Sequence, residues 1–379
     1  MTWIFAVVAV LTASATGSLA TDTVPATDTI PAIDTVTAVE QPKKKMSWLR
    51  RTIRGFSYID ENYVEPQHYN WTVMLQAAYT YENYRLSSVG DNSQSVSFKP
   101  QAGIKLGPYV GWRWVILGYT IDLSNISFGL TSAWKGFDFS IYSAQIGADV
   151  YYHHTRDNYS IRNVKLGGNI NTAVLEGMPF DGISVGTTGI NLYYIFNHQR
   201  FSYPAAFAQS TCQKISCGSW MAGIGFLSNT LEFDYEKLMR QAAERLAPQT
   251  LELDSGLMFK EVNYYNINAS VGYAYNWVFA RNFLFCASLS LALAYKKTRG
   301  ETTNGDQKGF NFNNLNIDGL GRFGVVYNNT RWYAGASAII RTYNYKKSRF
   351  AANNILGSVN LYIGYNFGLR KQYKKKKAP

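Results

Sequence analysis

His153 and His154 stand close to Asp157 and Ser160, a base, an acid and a hydroxyl within one short stretch. A serine hydrolase needs an imidazole to take the hydroxyl proton and a carboxylate to orient that imidazole. On a membrane barrel this set would read as an acyl hydrolase or transferase acting on lipid. The spacing falls on a predicted periplasmic turn, however, whereas barrel phospholipases hold their triad at the outer leaflet. The competing reading is histidine at the membrane interface, and it covers His68 and His198 as well. The three cysteines, Cys212, Cys217 and Cys286, show no metal-ligand spacing with each other or with histidine. Cys212 and Cys217 are near enough in sequence to pair in an oxidising compartment, and two free thiols are an equal alternative. No metal, cofactor or catalytic residue is therefore expected.

A second set is polar and aims the other way. Lys99, Lys105, Arg113, Gln145, Asp149, Asp318, Arg322 and Arg341, with Tyr109, Tyr151 and Tyr333, lie opposite the apolar positions of their predicted strands. Charges enclosed by a membrane wall must pair or be hydrated. If hydrated, they line a narrow pore leaning towards anions. If paired, they form a polar plug that keeps a small barrel shut.

Strands must carry these residues. From Asn353 to Leu369, Ile355, Val359, Leu361, Ile363, Tyr365, Phe367 and Leu369 share one face, with Asn354, Ser358, Asn360 and Asn366 on the other. Alternation over this length is a strand with one apolar and one polar face. Its ending, Gly364, Phe367 and Leu369, resembles the signal read by the outer-membrane barrel-assembly machinery. Trp71, Val73, Leu75, Ala77, Tyr79 and Tyr81 alternate in the same way with aromatics at both ends, like a lipid-facing strand between two interfacial girdles. Further strands are predicted near 96–106, 109–122, 137–153, 158–166, 183–197, 216–229, 259–279, 282–297, 313–327 and 331–345. With the first and last these make twelve, an even number as bacterial barrels require.

Gly107-Pro108, Ala280-Arg281 and Asn328 to Thr330 read as tight periplasmic turns, and the longer polar connections as external loops. Parity then makes 198–215 a periplasmic connection. The stretch 197–219 folds into the lumen as a plug, binds a periplasmic partner, or is a well-packed turn. Residues 232–247 switch to helical periodicity, with Phe233, Leu238, Ala242 and Leu246 along one side and Pro248 as the stop. Parity places this short helix in an external loop, where it either recognises something or caps the mouth.

Composition agrees. Only 16% of residues are charged while 15% are aromatic, against about 25% charged in ordinary soluble domains. The net charge of +12 is concentrated in the flanks, with six basic residues in 41–54 and six in 370–379. That favours anionic headgroups over nucleic acid as the partner of the basic segments. Residues 1–20 read as a signal peptide, 21–45 as a flexible periplasmic linker with a thrice-repeated hexapeptide, and 46–66 as a basic periplasmic lead-in. The barrel spans 67–369 and a basic periplasmic tail 370–379.

Three stretches resemble a family of Bacteroidetes outer-membrane β-barrels described only as a domain of unknown function. They are Tyr58 to Pro66, Tyr193 to Asn197 running into Phe201 to Tyr203, and Gln213 to Ser219, with Cys217 where a small residue is expected. The resemblance covers about residues 55–369. It implies fold and location and supplies no activity. The fold expected is all-β, an antiparallel transmembrane up-and-down β-barrel of about twelve strands, with one short helix in an external loop. The function expected is a non-enzymatic envelope protein of the outer membrane, either a narrow channel or a structural or interaction protein, with a lipid-modifying barrel enzyme as the alternative. Outer-membrane lipids, the assembly machinery and a periplasmic partner at 197–219 or the basic flanks are the expected partners. Both termini are placed in the periplasm.

Overall fold

The computed structural model describes residues 59–89, 93–100, 103–112, 115–118, 121–122, 134–156, 159–167, 170–246, 252–299, 315–346 and 350–374. The expected signal peptide, linker, most of the lead-in and the end of the tail lie outside them, as do Arg113 and Asp157.

In chain order the first strands are β1 (Val64–Pro66), β2 (Tyr69–Ser88), β3 (Ser95–Pro100), β4 (Ile104–Trp112), β5 (Val115–Gly118) and β6 (Ile121–Asp122). Next come β7 (Trp134–Tyr142), β8 (Ile146–Arg156), β9 (Tyr159–Lys165), β10 (Pro179–Phe180) and β11 (Ile183–Ile195). After helix α1 (Tyr203–Phe207) follow β12 (Thr211–Gln213) and β13 (Cys217–Phe233), then helix α2 (Tyr235–Leu246). The chain ends on β14 (Glu261–Ala280), β15 (Phe283–Arg299), β16 (Leu315–Asn328), β17 (Trp332–Lys346) and β18 (Phe350–Leu369).

One antiparallel sheet dominates, and β18 pairs β2 from Phe350↔Ser88 to Leu369↔Tyr69. The last strand thus lies beside the first, the seam expected of a barrel. From β18 the ladder runs back through β17, β16, β15, β14, β13, β11 and β8 to β7. On the other side of β2 come β4 and then β5 and β6, which pair β4 in a single register. Among the described residues the sheet has sixteen strands; setting β3, β9 and β10 aside and counting β5 with β6 as one leaves twelve positions for the wall. Among the described residues no pairing joins the β5–β6 edge to β7, so the sheet is open there.

The alternation predicted for β2 and β18 is the alternation observed. Trp71, Val73, Leu75, Tyr79 and Tyr81 are exposed, and so are Ile355, Val359, Leu361, Ile363, Phe367 and Leu369. Leu289 and Leu291 on β15 are 62% and 64% exposed. Ten residue steps from Trp71 to Tyr81, at ~3.4 Å each and ~40° tilt, make a band about 26 Å tall, the height of a hydrocarbon layer.

Several strand boundaries differ from expectation. The stretch 109–122 folds back on itself, since Trp112 pairs Val115. So does 137–153, where Ser143 Oγ accepts from Ile146 N at 2.9 Å and closes a tight turn. Gly107-Pro108 is no turn. It lies inside β4, where exposed Ile104, Val110 and Trp112 keep the alternation going through it. The expected strand 96–106 divides into β3, on the upper half of β2, and β4, on the lower half. The expected strand 158–166 is β9, which leaves the wall and forms a side sheet with β3 and β10. The errors offset one another, so the antiparallel wall of about twelve positions keeps its class while its members change.

The two ends of the wall differ. One has short turns at Arg281-Asn282 and Asn329 to Arg331, with Asn282 and Thr330 at φ 66° and 71°, and the 59–66 and 370–374 segments also lie there. The opposite end carries the β3–β9–β10 sheet, α2 and 3-10 turns at Ala173–Leu175 and Ser255–Leu257.

Candidate functional site

The lumen is polar where lipid-facing logic requires it. Asp149 on β8 and Arg322 on β16 point inward from opposing walls and form an ion pair, both almost fully buried. Arg322 also donates to Tyr193 Oη at 3.2 Å and Tyr142 Oη at 3.5 Å, and its guanidinium lies over the Tyr193 and Tyr203 rings. One level higher, Lys296 Nζ on β15 is 2.7 Å from Asp318 Oδ1 and donates to Asn344 O at 2.5 Å. Asp318 further accepts from Asn344 N at 3.0 Å and Asn266 Nδ2 at 3.4 Å. Arg341 on β17 lies 4.9 Å above the Tyr151 ring, and Tyr151 Oη is 2.8 Å from Tyr343 Oη. Burying an ion costs several kcal/mol unless a partner and hydrogen bonds replace its water; both pairs here have them. A cavity of about 70 Å³ lies among these groups, bordered also by Asn191, Asn268, Ser270 and Ser290. That is room for a few waters.

Below the chamber the 197–216 connection turns inward. Ser202 caps α1 by accepting from Ala205 N at 3.3 Å, and Pro204 opens the helix where no donor is needed. Phe201, Tyr203, Ala205 and Ala206 are all buried. The segment is fastened to inward side chains of four wall strands. Tyr203 Oη donates to Ser288 Oγ at 3.0 Å, and Asn276 Nδ2 donates to Ser202 O at 2.8 Å. Gln209 Nε2 donates to Tyr362 Oη at 2.8 Å, and Asn328 Nδ2 to Gln209 O at 3.3 Å. Cys286 and Val326 pack against Ala205 and Ala206. Burial pushes the Tyr203 phenol well above its ordinary range. β12, at the end of this plug, pairs β1 at Val64↔Gln213.

Above the chamber an apolar core fills the other end. Phe98 stacks on Phe180 and meets Phe233 edge-on between the side sheet and the wall, and Leu238, Ala242 and Leu246 of α2 pack onto them with Leu257. The helix therefore caps the mouth with its apolar face. At its rim Lys237 Nζ is 2.5 Å from Asp181 Oδ1, and this ammonium holds the Asp181 carboxyl below its usual range.

The expected lumen residues separate accordingly. Asp149, Asp318, Arg322, Arg341, Tyr151 and Tyr333 face the lumen. Lys105 and Tyr109 share the face of β4 opposite exposed Ile104 and Val110. Lys99 is exposed on the outer face of β3, because the strand containing it leaves the wall. Gln145 belongs to the β7–β8 turn and donates to Tyr194 Oη at 2.5 Å, so it lines no lumen. Arg113 lies outside the described residues. Lys296 was missed, although the outward run Leu289, Leu291, Leu293 places it on the inner face.

Of the expected hydrolase set, Asp157 lies outside the described residues, and the other members face different ways. His153 is buried on the lumen side of β8, His154 is on the opposite face, and Ser160 Oγ donates to Lys99 O at 3.5 Å in the side sheet. The Cys212–Cys217 disulfide does not form, and both are free thiols. Cys212 sits in the plug with Sγ donating to Asn328 O at 3.5 Å, whereas Cys217 opens a wall strand and accepts from Asn197 Nδ2 at 3.1 Å. Burial pushes the Cys212 thiol up to about 12. Among the described residues no group of His, Cys, Asp and Glu could hold a metal. The closing motif has geometry of its own. Phe367 stacks 6.4 Å from Trp71 across the seam, and the Tyr333 ring covers Gly364 so closely that a Cβ there would lie 2.1 Å from it.

A family model described as Domain of unknown function (DUF4421) matches residues 58–367. A search of curated proteins finds no match. Among solved structures, the outer membrane protease OmpT from Escherichia coli is 8% identical, with 79% of this chain and 97% of that chain covered and a TM-score of 0.35. The P. putida toluene transporter TodX is 8% identical over 79% and 91%, with a TM-score of 0.20, and a Pseudomonas aeruginosa FadL homologue 10% over 79% and 90%, with 0.22. At such identities and scores none lends its activity to this chain.

Proposed function

We propose, on the premise that the chain belongs to the DUF4421 family, that it is a non-enzymatic outer-membrane barrel whose resting state is closed. Its role is then structural, or one of interaction within the envelope, rather than standing diffusion. The observation that carries this is the lumen itself: it is filled by α1 and its flanks at one end and by an apolar cap at the other. Among the described residues, the cavity between the ion pairs is about 70 Å³. The end with short turns faces the periplasm in this reading, as short turns do in bacterial barrels. Both termini are then periplasmic and the capped end faces outward. Gly364, Phe367 and Leu369 serve the assembly machinery, and the plug with the basic flanks is the surface for a periplasmic partner. The Tyr58–Pro66 and 193–219 resemblances support a Bacteroidetes envelope as the setting.

Planar-bilayer recording tests closure. The full chain gives no steady conductance, while a chain lacking residues 200–214 gives one if its wall still folds, which heat-modifiable gel migration verifies. A steady ohmic conductance from the full chain would overturn the proposal.

A further inference from the structure

The outer face of the capped end carries a cluster that neither the lumen nor the cap uses. Arg85 on β2, Lys99 on β3, and Arg162 and Lys165 on β9 are all exposed. The strand registers bring them together. Arg85 pairs Ser97, which pairs Asn163, and Lys165 pairs Ser95, which pairs Ser87. Lys99 pairs Ser160 on the same outer face. Tyr84, Val96, Phe98 and Ile161 fill the opposite face of these strands and are buried, so the side chains that face outward are basic or small and polar.

Arg162 reaches this patch through a register shift. Ser97 pairs Asn163 but Phe98 pairs Ile161, which leaves Arg162 as the extra residue. A bulge of this kind re-aims a side chain. Arg162 Nη1 donates to Tyr81 Oη and, at 3.3 Å, to Asn83 Oδ1, and its guanidinium sits 5.9 Å from the Tyr81 ring centroid. Arg85 Nη2 donates to Ser95 Oγ at 3.3 Å. Among the described residues none of the four cations has an ion pair. The carboxylate of Glu176 is engaged with Asn163 at 2.9 Å. Elsewhere around the same rim β13 and β14 present Glu232 opposite Glu261, so acidic positions face each other there where this cluster gathers cations.

Height decides the partner. Tyr81 is the upper end of the apolar band on β2, and Arg85 lies four residues beyond it, about 10 Å higher at ~40° tilt. That is the headgroup level of the leaflet the wall crosses. Guanidinium groups bind phosphate through paired N–H donors, and lysines add point charge. We infer that Arg85, Lys99, Arg162 and Lys165 form a docking site for the phosphate groups of an outer-leaflet glycolipid, seated against the wall at Tyr81. This rests on the reading that the capped end faces outward.

The test uses the refolded full chain in detergent, titrated with bisphosphorylated lipid A while thermal unfolding is followed. Wild type is stabilised, and R85Q/K99Q/R162Q/K165Q needs about tenfold more lipid or beyond, on the scale of basic residues at an anionic headgroup layer. Dephosphorylated lipid A and inorganic phosphate give little stabilisation. K297Q/K346Q, which removes exposed lysines elsewhere on that rim, titrates like wild type, and heat-modifiable migration confirms that each variant folds. Equal titration of wild type and the quadruple variant overturns the site. So does an equal response to dephosphorylated lipid A, an equal response to inorganic phosphate, or an equal loss in K297Q/K346Q. Orientation is read separately, from labelling of E176C on whole cells by a membrane-impermeant maleimide with wild type as blank. Failure there removes the outward placement of the cap and leaves the lipid titration to stand or fall on its own.

Discussion

Arg322 is enclosed by a carboxylate, two phenol hydroxyls and two aromatic faces. Each replaces part of the water a guanidinium loses on burial. Removing one member of such a pair leaves the other charged and unpaired, which costs about 3–5 kcal/mol, whereas replacing both by apolar groups is often neutral. R322M should therefore lower the unfolding temperature sharply, and R322M/D149L should recover most of the loss. The check is a pair of thermal melts in detergent; additive losses in the double variant would mean that the two residues act separately. Asp149, Asp318, Arg322 and Arg341 were legible as inward residues because alternation alone sets their side. Their partners were not, since pairing crosses between strands that sequence order does not bring together. Asp149 and Arg322 are 173 positions apart.

The elements explain which parts of the wall could be read. β2, β14, β15 and β18 show long, clean alternation, so their existence and facing follow from sequence. The turns at Asn282 and Thr330 announce themselves through residues that tolerate positive φ or bond their own backbone. The turn at Ser143 to Gln145 contains no Gly, Pro or Asn, nor does the sequence between β4 and β5, and there two strands were expected as one. The plug was legible only as an overlong connection, because its inward fold depends on Asn276, Ser288, Asn328 and Tyr362 of distant strands. Cys212 reports on this element. Its thiol is held protonated by burial, up to about 12, so its thiolate is scarce at neutral pH and alkylation needs the plug to move. Brief treatment of the native protein with iodoacetamide at neutral pH should leave Cys212 unmodified, and unfolding in denaturant should expose it, both read by peptide mass spectrometry. Rapid modification in the native state would show that the plug leaves the lumen readily.

At the scale of the whole molecule, the seam between β18 and β2 has a consequence for biogenesis. Its paired residues are separated by nearly the full length of the barrel domain, as in Leu369↔Tyr69. Contacts this remote carry a large loop-closure cost and make folding slow. Until β18 arrives, β2 keeps a long row of unpaired amide groups, which water can satisfy but hydrocarbon cannot. A chain ending before Phe350 should then fail to show heat-modifiable migration and should be degraded in cells, while deletion of residues 375–379 alone leaves assembly unchanged; pulse-chase of the two truncations measures it. Since β18 covers the free edges of both β2 and β17, arrival of this strand is itself the licence for insertion, and a product that stops short of it is refused by the bilayer.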